Sequence, residues 1–181
     1  MELNVPTNTL LGTAKKLQRM RADKKVVLAG GTFDIIHPGH LNYLRKCRAS
    51  GDLLVVYVAG DNRTRRRKGP TRPILPATQR AKLVSNLKMV DLAFVSDSSP
   101  FSDSILRKIK PAVIVTSSNE PSRIVKLDFQ RRMRHRHPEI KVVLLRRPSF
   151  SWSSTSLVES LSNKQVKRKR KLPRRNSRRH G

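Results

Sequence analysis

Residues Gly30 to His40 read Gly-Gly-Thr-Phe-Asp-Ile-Ile-His-Pro-Gly-His, and they restrict the fold more than any other stretch of the chain. The apolar run Val26-Val27-Leu28-Ala29 in front of them predicts a buried strand, and Leu41-Asn42-Tyr43-Leu44 behind them opens a helix. A strand, a glycine-bearing turn and a helix N-terminus make an anion site, because free backbone N–H groups and the positive end of the helix dipole point the same way. His37 and His40 stand three residues apart at that helix start, which puts them on one face. Two imidazoles can therefore meet one phosphate group beside a backbone cradle. The same pair also fits a buried helix cap or half of a metal site, although no other His, Cys or carboxylate cluster lies nearby at ligand spacing.

Strands alternate with helices along the remainder. Strands are expected at about 25–30, Leu53 to Ala59, Leu92 to Ser96, Ala112 to Thr116 and Ile140 to Leu145. Helices are expected at about 39–49, 77–89, 101–109 and 121–135, with a short one in Leu10 to Met20 that packs on the domain or on a partner. The stretch 60–76 is rich in Arg, Pro and Gly, lacks periodicity, and reads as a loop that is mobile until bound. This alternation predicts an α/β fold: a Rossmann-like parallel five-stranded sheet with helices on both faces, and basic extensions at both ends. The divisions are an N-terminal extension at 1–23, a domain at 24–160 and a basic tail at 161–181. Ligands of open sheets bind beyond the strand C-terminal ends, and the Gly30–His40 turn lies at one.

The pattern Gly31-Thr32-Phe33-Asp34 followed by His37-Pro38-Gly39-His40 resembles the signature of the cytidylyltransferase-like nucleotidyltransferases. The small single-domain members, glycerol-3-phosphate cytidylyltransferase and the archaeal FAD synthetases, are the most similar by pattern. The resemblance implies that a phosphate on an acceptor attacks the α-phosphate of a nucleoside triphosphate, CTP or ATP with its Mg²⁺, and that pyrophosphate leaves. It implies catalytic contacts from His37 and His40, and nucleotide contacts from Gly30, Gly31, Thr32, Phe33 and Gly39. Relatives carry a lysine-bearing, glycine-containing loop after the second strand, where this chain reads Arg65-Arg66-Arg67-Lys68-Gly69; Lys68 is the match and would neutralise triphosphate charge. Arg80, in the helix opened by Pro76-Ala77-Thr78-Gln79, reaches a substrate phosphate or stands on a solvated helix face. Ser154 and Thr155, within Ser153-Ser154-Thr155-Ser156, resemble the family's phosphate-binding segment at a helix N-terminus.

Two positions depart from the pattern. Relatives often read Gly-x-Asp after the fourth strand, where this chain has Thr116-Ser117-Ser118-Asn119. Relatives often place Ile and then a basic residue after the serine/threonine segment, where this chain has Leu157 and Val158.

Charge is the second large signal. The chain has 181 residues, with 40 Lys plus Arg against 12 Asp plus Glu, a formal net charge of +28. Residues 161–181 hold 10 basic and no acidic side chains, whereas 24–160 hold 26 basic and 10 acidic, a net +16 over the expected folded body. Small anionic substrates need only a local positive site. A field of this size attracts polyanions and releases their counterions on binding. The expected partner is RNA, or the ribosome, before DNA and before acidic membrane. Three clusters carry the expectation: Arg65, Arg66 and Arg67; Arg131, Arg132 and Arg136; and Lys167, Arg168, Lys169, Arg170 and Lys171 in the tail. Aromatic residues are 4% of the chain, too few for a base-stacking surface, so contact would be to backbone and shape. Two functions follow: an active nucleotidyltransferase with RNA affinity, or a catalytically degenerate relative acting as an RNA- or ribosome-associated binding protein.

The single cysteine, Cys47, excludes an intramolecular disulfide and fits packing in a reducing compartment. No apolar stretch nears the ~18 residues of a membrane span, and no metal site of the protein's own is expected. The expected location is cytoplasmic, or nuclear in a eukaryote.

Overall fold

A computed structural model describes residues 9–118 and 123–146. Eleven elements occur among them: α1 Leu10–Arg21, β1 Val26–Gly31, α2 Pro38–Arg48, β2 Leu53–Ala59, α3 Asp61–Lys68, α4 Ala77–Ser85, β3 Leu92–Ser96, α5 Asp103–Ile109, β4 Val113–Ser118, α6 Arg123–Arg136 and β5 Lys141–Arg146. The five strands form one parallel sheet in the order β3-β2-β1-β4-β5. The expected fold class is observed. The serine/threonine segment with Ser154 and Thr155, the Leu157-Val158 position, Asn119 and the basic tail lie outside the described residues.

Alternation along the strands separates two apolar layers. Val26 and Leu28 of β1, with Leu53, Val55 and Tyr57 of β2, face Leu17 of α1, Ile105, Leu106 and Ile109 of α5, and Met133 of α6. Val27 and Ala29, with Leu54, Val56 and Val58, face Leu44 and Cys47 of α2 and Ala81 and Val84 of α4. Both sheet faces are covered, which is why the central strands read as unbroken apolar runs. The N-terminal helix packs on the domain: Leu17 is buried in the first layer, and Thr13 Oγ1 donates to the Ala93 carbonyl at 3.3 Å. No described helix is long and apolar enough to cross a membrane.

The stretch 60–76 differs from its sequence reading, because Asp61–Lys68 is helical. The Asp97 carboxylate, arriving from just beyond β3, caps this helix by accepting from the Arg63 N–H at 2.8 Å. Asp61 in the first turn and Arg65 to Lys68 in the last complement the helix dipole, and Gly69 at φ 95° ends the helix. The cap lies over thirty residues away in sequence, so no local pattern announces it. The next helix stops at Ser85 rather than near 89, and β4 continues two residues further than expected, to Ser118.

Cys47 is fully buried beneath α2, and burial pushes its thiol from an ordinary value of 9.0 up to about 12. At pH 8 its thiolate fraction should be about 1,000-fold below that of an exposed cysteine. A maleimide should leave the native protein unlabelled and label it fully in denaturant. The unfolded thiol ionises first, so this residue's contribution to stability is complete below about pH 9 and falls as pH rises toward about 12.

Candidate active site

The site grows from the C-terminal end of β1. Pairing of β1 with β4 stops at Ala29↔Val115, whereas pairing with β2 continues to Gly31↔Val58. The sheet therefore parts between β1 and β4, at the point where the strand order reverses. Tyr43 of α2 closes the base of this crevice: its hydroxyl donates to the Val115 carbonyl at 2.9 Å and accepts from the Gly30 N–H at 3.3 Å. Gly30 has no side chain because the Tyr57 ring lies across it; a Cβ there would meet Tyr57 Cδ1 at 2.9 Å.

The signature turn folds back on itself. Phe33 has a left-handed φ of 51°, uncommon for a bulky residue and of the kind found where surrounding structure overrides local preference. Its ring folds over Gly31, where a Cβ would meet it at 2.9 Å, and packs against His40 at a centroid distance of 5.0 Å. His40 in turn stacks on His37 at 3.8 Å and 25°. The three rings form one column at the N-terminus of α2. His37 occupies the N-cap in extended conformation, and Pro38 at the first helical position pre-sets the helix. His37 is only 9% exposed. Gly39 lies in the same first turn.

Two buried arginines hold this turn to the segment after β2. Asp34 is 1% exposed; its Oδ2 pairs with Arg72 at 2.7 Å, and its Oδ1 accepts from the Ile74 and Leu75 N–H groups at 2.8 and 3.2 Å. Arg80 is 0% exposed. Its guanidinium donates to the Thr32 carbonyl, to the Leu75 carbonyl at 2.8 Å, and to Asp61 Oδ1 at 2.7 Å. This corrects the sequence reading of Arg80: it neither contacts solvent nor offers its fork to a substrate, because all three directions are filled by protein. Carbonyl and N–H point oppositely across a trans peptide, so drawing the Thr32 carbonyl toward Arg80 aims the Phe33 N–H away from it.

The structure thus brings together His37, His40, Gly30, Gly31, Thr32, Phe33 and Gly39. Lys68, Arg65, Arg66 and Arg67 stand exposed at the C-terminal end of α3, whose first residue is fixed through Asp61 to the same turn. Arg131, Arg132 and Arg136 are elsewhere, on α6, which packs on the opposite sheet face from α2. Asp61, Arg72, Asp97 and Tyr43 are contributors that sequence reasoning missed. Scarcity was the available signal: with so few acidic residues among so many basic ones, each carboxylate beside the motif was a candidate partner.

An α/β domain with a histidine pair and a helix N-terminus at its switch point has the layout of a candidate anion-binding site. The model of the cytidylyltransferase-like family matches residues 28–167. A FAD synthase of Methanothrix thermoacetophila is 37% identical over 142 residues, covering 78% of this chain and 96% of that protein. The bifunctional protein HldE of Methylococcus capsulatus is 41% identical over 95 residues, covering 52% of this chain and 20% of the longer protein. A lipopolysaccharide core biosynthesis protein from Thermoplasma volcanium superposes with a TM-score of 0.55 at 30% identity, covering 71% of this chain and 99% of its own. The chain belongs to the cytidylyltransferase-like family. It is a nucleotidyltransferase.

The two classes of ion pair predict different costs. Asp34→Asn keeps an oxygen for the Ile74 and Leu75 N–H groups but leaves Arg72 buried and unpaired, and should lower stability by about 3 kcal/mol in urea denaturation. Asp128→Asn breaks only the exposed i,i+4 pair with Arg132 and should change it by less than about 0.5 kcal/mol.

Proposed function

We propose that this protein transfers a nucleotidyl group from a nucleoside triphosphate to a phosphorylated acceptor, with ATP as donor and FMN as the first acceptor to test. The stacked His37–His40 pair at the switch-point helix carries the reading. Similarity to a FAD synthase over 96% of that protein's length favours AMP and FMN over CMP and other acceptors.

An acceptor phosphate oxygen attacks the donor α-phosphorus in line. The new P–O bond forms as the bond to the bridging oxygen of the β-phosphate breaks, and pyrophosphate leaves with that electron pair. Such chemistry asks the protein for alignment and charge stabilisation. His37 and His40 donate ring N–H groups to phosphate oxygens around the reacting centre. The N–H groups of the Gly31–Phe33 turn and the first turn of α2 cradle the triphosphate, and Gly39 keeps that approach clear. Lys68, assisted by Arg65 to Arg67, neutralises the charge of the leaving pyrophosphate. Ser154 and Thr155, by their resemblance to the family's serine/threonine segment, add contacts to phosphate. Magnesium enters with the triphosphate as part of the substrate.

Purified protein supplied with ATP, Mg²⁺ and FMN should release pyrophosphate and form FAD. His37→Ala and His40→Ala should each lower kcat at least 100-fold, in the range of lost transition-state donors. Turnover with CTP but not ATP, or with another phosphate monoester but not FMN, would redirect the substrate assignment. No pyrophosphate from any pair would sink the transfer reading.

Affinity for RNA is a second property, favoured by the exposed basic side chains of α3 and α6 together with the net charge of +28. With six or more phosphate contacts, RNA affinity should fall by at least about 10³ between 50 and 200 mM salt. His40→Ala should leave that binding intact. Binding that ignores salt, or that vanishes with His40→Ala, would refute a separate nucleic-acid surface.

A further inference from the structure

We infer that the outer stripe of α6, formed by Arg131, Arg134 and His135, is a docking face for the phosphate backbone of a nucleic acid, RNA in the first instance. This deepens the nucleic-acid reading above and is independent of nucleotidyl transfer.

The helix divides cleanly. Met133 is buried in the first apolar layer and Phe129 packs against that layer, where its ring meets Phe101 at 4.6 Å. Arg131, Arg132, Arg134, His135 and Arg136 are all exposed. Two of the four arginines already have acidic partners: Arg132 pairs with Asp128 at 2.8 Å, and Arg136 with Asp103 at 3.1 Å. Among the described residues, Arg131 and Arg134 have none. They are three apart, with His135 four from Arg131, so the uncompensated groups share one face. Like charges at that spacing repel and weaken a helix on its own. Anions lying along the stripe would remove that repulsion.

The geometry suits a polymer of phosphates. The stripe occupies about 6 Å of helix axis. A strand of B-form duplex presents its phosphates about every 3.4 Å of axis, so a stripe laid along that axis spans about two, and other nucleic-acid forms offer phosphates at a comparable few-ångström spacing. A membrane surface fits poorly, because a helix lying in the interface needs an apolar face to insert, and the apolar side of α6 is already buried against the sheet. No Phe, Tyr or Trp lies between Arg131 and Arg136, and the small ring of His135 stands alone there, so contact is led by the backbone rather than by a stacking surface.

The test compares full-length protein with two double variants on the same helix, Arg131→Gln/Arg134→Gln and Arg132→Gln/Arg136→Gln. Each removes two exposed positive charges. Kd for a labelled single-stranded RNA, a duplex RNA and a duplex DNA is measured from 50 to 200 mM KCl, with vesicles of phosphatidylserine and phosphatidylcholine as a fourth ligand. Loss of Arg131 and Arg134 should lower the slope of log K against log salt by about 1.4 on single strands and about 1.8 on duplexes. Loss of Arg132 and Arg136 should lower it by less than half as much. A preference for RNA or for DNA identifies the polymer, and either supports the docking face. Equal slopes for the two variants, an unchanged slope for Arg131→Gln/Arg134→Gln, or tighter binding to vesicles than to any nucleic acid would overturn it. Pyrophosphate release is scored separately, so an inactive protein that binds RNA through α6, and an active one that does not, are told apart.

Discussion

A guanidinium with no access to water organises this protein. Arg80 reaches from α4 to three places that no single secondary-structure element joins: the signature turn at Thr32, the loop at Leu75 and the start of α3 at Asp61. A buried ion pair gains little stability over apolar packing, because desolvation offsets most of its Coulomb energy. Its effect here is geometric. The planar fork has fixed donor directions, so three separate acceptors are set relative to one another. Asp34 does the reciprocal work from the turn outward, holding Arg72 and two consecutive N–H groups. The signature turn and the segment after β2 thereby become one body. A reaction that depends on aligning two phosphates needs such rigidity more than it needs reactive side chains.

The left-handed φ of Phe33 belongs to the same construction. A bulky residue keeps that conformation only where its surroundings over-determine it. On one side the Thr32 carbonyl is drawn toward Arg80; on the other, Asp34 is locked to Arg72; between them the ring is trapped over Gly31 and against His40. The histidine column thus continues the buried framework outward. Tyr43 does for α2 what Arg80 does for the turn, fastening the helix to both strands that part at the crevice.

Much of this was legible in the sequence, and the division between what was and was not has a physical basis. The strands and the turn are written locally: Val26 to Ala29 and Leu53 to Ala59 are apolar because both faces of the sheet are covered, and a motif of eleven residues fixes its own register. The helix at Asp61–Lys68 was not legible, because five of its eight residues are basic and its cap is Asp97. Arg80 was misread for the same reason. Its neighbours in sequence are ordinary helix residues, and the partners that bury it come from positions 32 and 61. Long-range polar contacts leave no periodicity, whereas apolar layers do.

The basic surface follows from how the few carboxylates are used. Asp34 and Asp61 hold buried arginines; Asp52 accepts from the Lys25 N–H, Asp91 from the Leu54 N–H, and Asp97 caps α3. Asp103 joins α5 to the end of α6 through Arg136 and His137. From Asp34 to Asp103 every aspartate therefore has a structural partner, leaving little negative charge to balance the exposed arginines. A positive surface built this way cannot be neutralised by rearrangement without breaking the fold. It is a fixed field, felt by small anions within about 8 Å at physiological salt and by polyanions along their whole length. The His37–His40 turn lies within that field, so the forces that would draw a triphosphate to the proposed site would also favour any longer chain of phosphates that can reach α3 or α6.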